Sequence, residues 1–453
     1  MKSSSDNILR IVHCVDTEGP LYEGIDSTFK RIKDIFGIEI EPTEDNLQAI
    51  RARKLDIKNK EEIYNLVASK RTTFNEDWSE ISEMLDYFDS NDFKIKLLDS
   101  FNQPWKFNWF CLDHVGFRGE NPRRRDAGDH KVFDFYSKRY SHNALHDIGW
   151  HYHPLPINGN FHGSGVTYLN SGNIFNIICK KIIEREWFPS SYRPGFHTER
   201  PDSHWFLEQW IPFDYGNQSL LKEDNLQPDL SNGRYGDWQG APTDWTYYHP
   251  SHECYKKKGN CKRYIVRCLN MESRIRCIDQ KEVDNAFSRA RTHDDTILAF
   301  TNHDFRDMKS EVEKIYNMLI KSSSKFPDVN FKFCNSKEAI RSAAKISISK
   351  PNLNVEFSHS KTNDSLRLDI YSEGQIFGSQ PFLAIKSNHG EYYWENFDFH
   401  ETNHWSFTFD YNHIDTSLID KLGIAANSPY GITQIINLDI KKGKILSDKI
   451  IES

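Results

Sequence analysis

Hydrophobic positions along the chain fall into two regimes. Up to about residue 345, short apolar runs of strand length alternate with stretches whose apolar residues recur every three to four positions. Ile8–Val15 is an apolar run rich in β-branched residues. It leads into Asp16-Thr17-Glu18-Gly19-Pro20 and predicts a strand that Gly-Pro stops. Phe93–Leu98, Asn108–Leu112, Asp147–His153, Thr296–Asn302 and Val329–Cys334 predict further strands, and Tyr192–His197 a strand running into a loop. Helices are predicted over Asn173–Trp187, Pro201–Gln209, Ser310–Ser322 and Ser336–Ala344, the last capped by Ser336. Such alternation predicts a parallel sheet or barrel with helices outside it. Residues 21–92 read as a polar helical insertion, with Trp78, Ile81, Met84, Leu85 and Phe88 at helical spacing behind Asn75 or Asp77 as cap. Residues 216–280 are irregular, rich in Gly and Trp, and read as long loops over a site.

Beyond residue 345 only period-two alternation is left. Val355/Phe357, Leu366/Leu368/Ile370 and Trp405/Phe407/Phe409 each put apolar side chains on one face, with Asn, Gly, Ser and Asp between the segments. This predicts an all-β, sandwich-like unit. The expected organisation is therefore an α/β domain over residues 1–345, with its insertion at about 21–92, and an accessory β domain over 346–453.

Composition narrows the class. Charged residues are 27% of the 453 and mean hydropathy is -0.70, so no apolar run approaches the length of a membrane span. A net charge of -7, spread along the chain, argues against a dedicated nucleic-acid binder, and the run Arg123-Arg124-Arg125 is too short to reverse that. The first residues show one lysine, a short apolar stretch and no small-residue cleavage site, from which a cytoplasmic location is expected. Cys254, Cys261, Cys268 and Cys277, half of the eight cysteines, cluster without C-x-x-C spacing, so reduced structural thiols are expected rather than a zinc knuckle.

Candidate chemistry gathers at predicted strand ends. Asp16 and Glu18 stand two apart, and side chains at i and i+2 of a strand share a face, so both carboxylates can enter one pocket. His151-Tyr152-His153 repeats that spacing with two imidazoles able to ligate one divalent ion, directly before Pro154. His303, after the run Ile297–Phe300, sits where barrel folds place chemistry and is a candidate general acid. Arg193, in Tyr192-Arg193-Pro194-Gly195, offers a fixed fork of donors for a carboxylate or an oxyanion. Trp238 and Trp245 are candidates to line a sugar cleft, against the commoner fate of packing inside the molecule.

The order Asp-x-Glu, His-x-His, Arg-Pro and a late His resembles that of the NodB-like polysaccharide deacetylases, over roughly residues 8–345. Val15–Glu18 is similar to the family's first motif, Asp147–Pro154 to its histidine motif, Arg193–Gly195 to its arginine motif, and Leu298–His303 to its last. The likeness implies a distorted, incomplete (β/α) barrel, a divalent metal that is usually zinc, and removal of an N-acetyl group from a sugar. It implies Asp16, Arg193 and His303 as catalytic residues and Glu18, His151 and His153 as metal ligands, with a second register that exchanges Asp16 and Glu18. Family members commonly space the two histidines four apart rather than two and carry adjacent aspartates. Leu112–Gly116 with Asn121–Asp126 looks like a trait of a bacterial surface-polysaccharide subgroup. Two other classes stay open: a non-catalytic carbohydrate-binding or scaffold protein that keeps the fold, and an amide hydrolase acting on something other than a sugar.

Overall fold

The computed structural model describes residues 7–22, 24–67, 74–114, 128, 130–141, 143, 145–154, 168–169, 171–221, 236–272, 276–359 and 365–452. Among the described residues, nine strands build the α/β part: β1 (Ile8–Thr17), β2 (Phe107–His114), β3 (His146–His153), β4 (Ser191–Pro194), β5 (Phe213–Asn217), β6 (Tyr247–Tyr248), β7 (Tyr264–Asn270), β8 (Ile297–His303) and β9 (Asn330–Phe333). Seven of them close a parallel ring in the order β1-β2-β3-β4-β5-β7-β8 and back to β1. β6 pairs antiparallel with β7, and β9 runs beside the first half of β1. The barrel expected from the alternation is present, and its ring closes with seven strands.

Side-chain alternation decides what each strand offers to which side. On β1, Leu9, Ile11 and Val15 join the layer under the outer helices, while Val12 and Cys14 fill the barrel with Phe110, Tyr215, Cys268 and Ala299. The next inward positions are 16 and 18. On β3, Trp150 and Tyr152 face the helices, which leaves His151 and His153 to face the interior. Strand polarity thus delivers alternate residues to the mouth formed by the C-terminal strand ends.

Eleven helices are present among the described residues: α1 (Ile25–Phe36), α2 (Glu44–Arg51), α3 (Lys60–Val67), α4 (Trp78–Asp89), α5 (Asn91–Lys96), α6 (Lys131–Tyr140), α7 (Gly172–Arg185), α8 (Pro201–Trp210), α9 (Gln280–Ala290), α10 (Lys309–Lys325) and α11 (Ser336–Ala343). In the insertion, α1 to α3 share a small core of Phe29, Ile32, Leu47, Ile50 and Ile63. Helix α4 starts at Asp77, whose carboxylate accepts from the amides of Ser79 and Glu80, and turns Ile81, Met84, Leu85 and Phe88 into the main core. Phe93–Leu98 is not a strand. Ser90 Oγ accepts from the Phe93 amide and starts α5, so Phe93 and Leu97, four apart, are buried while Ile95 is exposed. Residues 216–280 are not all loop, because they supply β6 and β7. Buried Arg267 breaks the apolar run of β7 and is neutralised there by Glu282, at 2.8 Å through each of two nitrogens. The cap of α11 is Asn335, accepting from the Glu338 amide, rather than Ser336.

The described residues between Leu353 and Ile451 form two antiparallel sheets. One contains β10 (Leu353–His359), β11 (Leu366–Ser372), β15 (His404–Phe409) and β14 (Asp398–Glu401); the other contains β13 (Tyr392–Glu395), β12 (Phe382–Ser387), β16 (Ile419–Asn427), β17 (Thr433–Asp439) and β18 (Lys444–Ile451). Leu368, Ile370 and Phe407 of the first pack against Leu383, Leu422 and Ile424 of the second. The second sheet's other face, with Phe382, Ala384, Ala425 and Ile435, shares a core with α7. Gly423 permits that approach, since a Cβ there would lie 2.5 Å from Ile182 Cγ2. No helix among the described residues is long and apolar enough to cross a membrane, and all eight cysteines are free thiols.

Candidate metal centre at the barrel mouth

The strand registers bring the predicted residues to one level. Asp16 lies opposite His303 in the β1–β8 pairing, and His151 lies opposite Arg193 in the β3–β4 pairing. Asp16 and Arg193 are both fully buried. Arg193 donates from Nε to Asp16 Oδ1 at 2.6 Å and from Nη2 to Oδ2 at 3.1 Å, and its Nη1 donates to the Tyr215 carbonyl. Burial alone would raise the Asp16 carboxyl. The Arg193 guanidinium, helped by His151, overcomes that and holds it well below the usual carboxylate range.

Beside this pair lies a buried cluster of Glu18, His151 and His153, whose ligand atoms all fall within 4.8 Å of one another. His151 and His153 face each other through Nε2 at 2.9 Å, and Glu18 Oε1 lies 3.7 Å from each. His151 Nδ1–H donates to the Arg193 carbonyl at 3.0 Å, which turns Nε2 toward Glu18 and His153; the Asp16 and Glu18 carboxylates raise this imidazole despite its burial, and a metal ion bound there would take the place of the Nε2 proton. Two imidazole nitrogens and one carboxylate converging in a buried site form a donor set that suits a divalent ion. Spacing of two is enough here because the histidines sit on a strand. Asp16 is engaged by Arg193 while Glu18 stands with the histidines, which favours the register with Glu18 as ligand.

His303 completes the mouth. Its side chain keeps 17% of its surface exposed, and its Nε2 lies 3.9 Å from Asp16 Oδ2 and 3.8 Å from Glu18 Oε1. Burial lowers its imidazole to about 4, so it is neutral at pH 7.

Several supporting residues were not legible in the sequence. Asp304, fully buried, accepts from the Glu18 amide at 2.7 Å, the Gly19 amide at 3.1 Å and the Tyr136 hydroxyl at 2.9 Å. Burial pushes its carboxyl up to about 7 against those three bonds. Asn75, from the insertion, donates to the Asp304 carbonyl at 2.7 Å and so ties the insertion to the end of β8. His197 sits behind Arg193, its Nδ1 3.3 Å from Nη2. Phe196 and His197 both hold positive φ, of 51° and 52°, and the Phe196 ring leans on that of His153 at 4.8 Å. Gly195 makes room for this, since a Cβ there would lie 2.5 Å from His153 Cδ2. An acid directly after His303 was the only sequence signal for Asp304, and a partner 168 residues away cannot be read from a local pattern.

Neither tryptophan lines an open cleft. Trp238 is fully buried and donates to the His197 carbonyl at 2.8 Å, which makes it a support for the mouth. Trp245 is 2% exposed, with its indole N–H on Glu282 and the Arg267 guanidinium 4.3 Å over its ring. Each has its polar edge satisfied inside the molecule, so burial carries no penalty. Asp113 is also internal, 3.0 Å from buried Lys181 and accepting from Trp150 Nε1 at 2.7 Å, while the His114 ring stacks on His153 at 5.1 Å. The segment Asn121–Asp126, with its three arginines, lies outside the described residues.

Fold and site together define a class: a closed parallel α/β barrel with a buried Glu-His-His cluster able to hold a metal ion at its mouth. Compared with protein-family models, curated proteins and solved structures, the chain matches none.

Proposed function

We propose that this chain hydrolyses the acetamido group of an N-acetylated sugar, in a surface polysaccharide or its precursor, as the likeness to NodB-like deacetylases implies. The observation that carries the reading is the juxtaposition of two sets of groups: the cluster Glu18, His151 and His153, and the Asp16–Arg193 pair with His303 Nε2 3.9 Å from Asp16. A divalent ion held by the first set, zinc being the usual choice for such donors, would polarise the acetyl carbonyl and make water acidic enough to attack near neutral pH. The remaining work falls to the chain. Asp16 accepts the proton of the attacking water. Arg193 keeps the Asp16 carboxyl strongly acidic, so the proton is passed on rather than retained, and the neutral His303 imidazole, its Nε2 3.9 Å from Asp16 Oδ2, is the acceptor. His303 delivers it to the sugar nitrogen as the carbon–nitrogen bond breaks, giving acetate and a free amine. No covalent acyl-enzyme is required.

The test is acetate release from N-acetylglucosamine oligomers by zinc-reconstituted full-length protein, beside Asp16→Asn. The variant is expected to keep its metal and lose turnover by about 10²–10⁴-fold. Metal-loaded protein that binds the oligomer and releases no acetate would instead be a carbohydrate-binding protein. Equal turnover of simple acetamides would make it a different amide hydrolase.

A further inference from the structure

At the other end of the barrel, a cleft of about 570 Å³ opens between α6, the start of β3, the end of α7 and the last strand, β18. Asp147, in its wall, precedes His151 on β3 by four residues, so the cleft lies about 13 Å or more from the mouth at 3.3 Å per residue. Its volume is that of a small-molecule pocket.

The charge of its lining is unbalanced. Lys138, Arg185, Lys337 and Lys449 face Asp134 and Asp147, four cations against two carboxylates. Both carboxylates are already engaged. Arg185 grips Asp134 through Nε at 2.6 Å and Nη2 at 2.9 Å. Asp147 takes Lys337 Nζ at 3.0 Å, the Ile148 amide at 3.0 Å and Ser336 Oγ at 2.6 Å. Lys337 is 3% exposed, and only one of its ammonium's three donors is needed for Asp147. Lys138 and Lys449 are exposed and make no ion pair among the described residues. Trp187, Tyr140 and Ile451 add apolar and aromatic wall.

We infer that this cleft binds a small phosphate ester, its dianionic phosphate set against Lys138, Lys337 and Lys449 and its organic part against Trp187 and Ile451. Two uncompensated positive charges match a dianion. The one guanidinium, which would hold a planar carboxylate two-pronged, is occupied by Asp134, and ammonium point charges suit phosphate. Lys449 and Ile451 come from β18 and the rest from the α/β part, so the ligand ties the last sheet to the barrel.

Phenyl phosphate is the probe, titrated calorimetrically at low salt into chelator-treated full-length protein, with inorganic phosphate and phenol as separate arms. Saturable binding, tighter for phenyl phosphate than for either fragment, is expected, with a rise in melting temperature. In Lys138→Ala/Lys449→Ala, both exposed positions, affinity is expected to fall at least about tenfold, a change of about 1.4 kcal/mol, with the metal content of untreated protein unchanged. No saturable binding up to about 10 mM, inorganic phosphate binding as tightly as the ester, or undiminished affinity in the double variant would each overturn the assignment.

Discussion

Replacing Asp304 by alanine removes the acceptor under Glu18, and its consequences can be worked from the contacts. Three donors, the amides of Glu18 and Gly19 and the hydroxyl of Tyr136, converge on that carboxylate at 2.7–3.1 Å, and Tyr136 and Asp304 are fully buried. Stripping a buried donor of its partner costs about 1–3 kcal/mol. Three such losses, eased where water enters the space left behind, sum to about 3–6 kcal/mol, a large part of the roughly 5–15 kcal/mol that holds a typical protein folded. Urea denaturation of the metal-free protein reads this as a lower midpoint at unchanged slope. A second effect is expected at the cluster. Glu18 Oε1 keeps its 3.7 Å approach to His151 and His153 only while its backbone is anchored, so metal affinity falls about 10–100-fold. Asp304→Asn retains one carbonyl oxygen and is expected to lose only about 1–3 kcal/mol. An Asp304→Ala protein that unfolds at the wild-type urea midpoint and binds metal as tightly would show that Asp304 does not anchor Glu18.

Removing Arg193 as leucine strands Asp16 without its hydrogen-bonded guanidinium, with only the His151 and His303 imidazoles left 3.8 and 3.9 Å away, and a loss of about 3–5 kcal/mol is expected; a variant as stable as wild type in urea would show that the pair is not what keeps Asp16 ionised. His13 sets an acid limit. Its Nδ1 accepts from Trp105 Nε1 at 2.9 Å and its Nε2 bonds Asn302 Oδ1 at 2.9 Å, so a proton on Nδ1 would face the indole N–H. Burial holds His13 down to about 4 from the ordinary 6.5, so the unfolded chain takes up the proton more readily. Stability from this group is complete above pH 6.5 and declines as pH falls toward 4, by about 3 kcal/mol in all; His13→Gln is expected to flatten that part of the stability–pH curve, and an unaltered slope would exclude His13 as its source. Trp245→Ala is expected to cost about 3–5 kcal/mol of stability and to leave glycan affinity per folded molecule unchanged, whereas the reverse pattern would return Trp245 to a sugar cleft.

Elements whose hydrophobic period is unambiguous are legible in the sequence. The β-branched run at Ile8–Val15, the isoleucine face of α7 and the alternation of β11 and β15 are local signals, because a strand or helix buries a face set by its own period. Where a buried charge or an exposed apolar residue breaks the period, local reading fails. Arg267 hid β7 because its neutralising partner, Glu282, comes from a later helix, and Ile95 lent α5 the look of a strand. The same division holds at the site. Residue types and i, i+2 spacing on strands pair Asp16 with Glu18 and His151 with His153, since alternation alone sends such pairs to one face, while Arg193 and His303 stand out by their places at strand ends and by the resemblance in motif order. Which carboxylate meets the arginine and which the histidines was decided by ring closure and strand register, which bring residue 16 to residue 193. Burial of Trp238 and Trp245, the anchor at Asp304 and the cationic cleft likewise depend on segments far apart in the chain. Sequence determines the faces of each element; only packing determines which faces meet, because the energy that selects the partner is released when they bury each other.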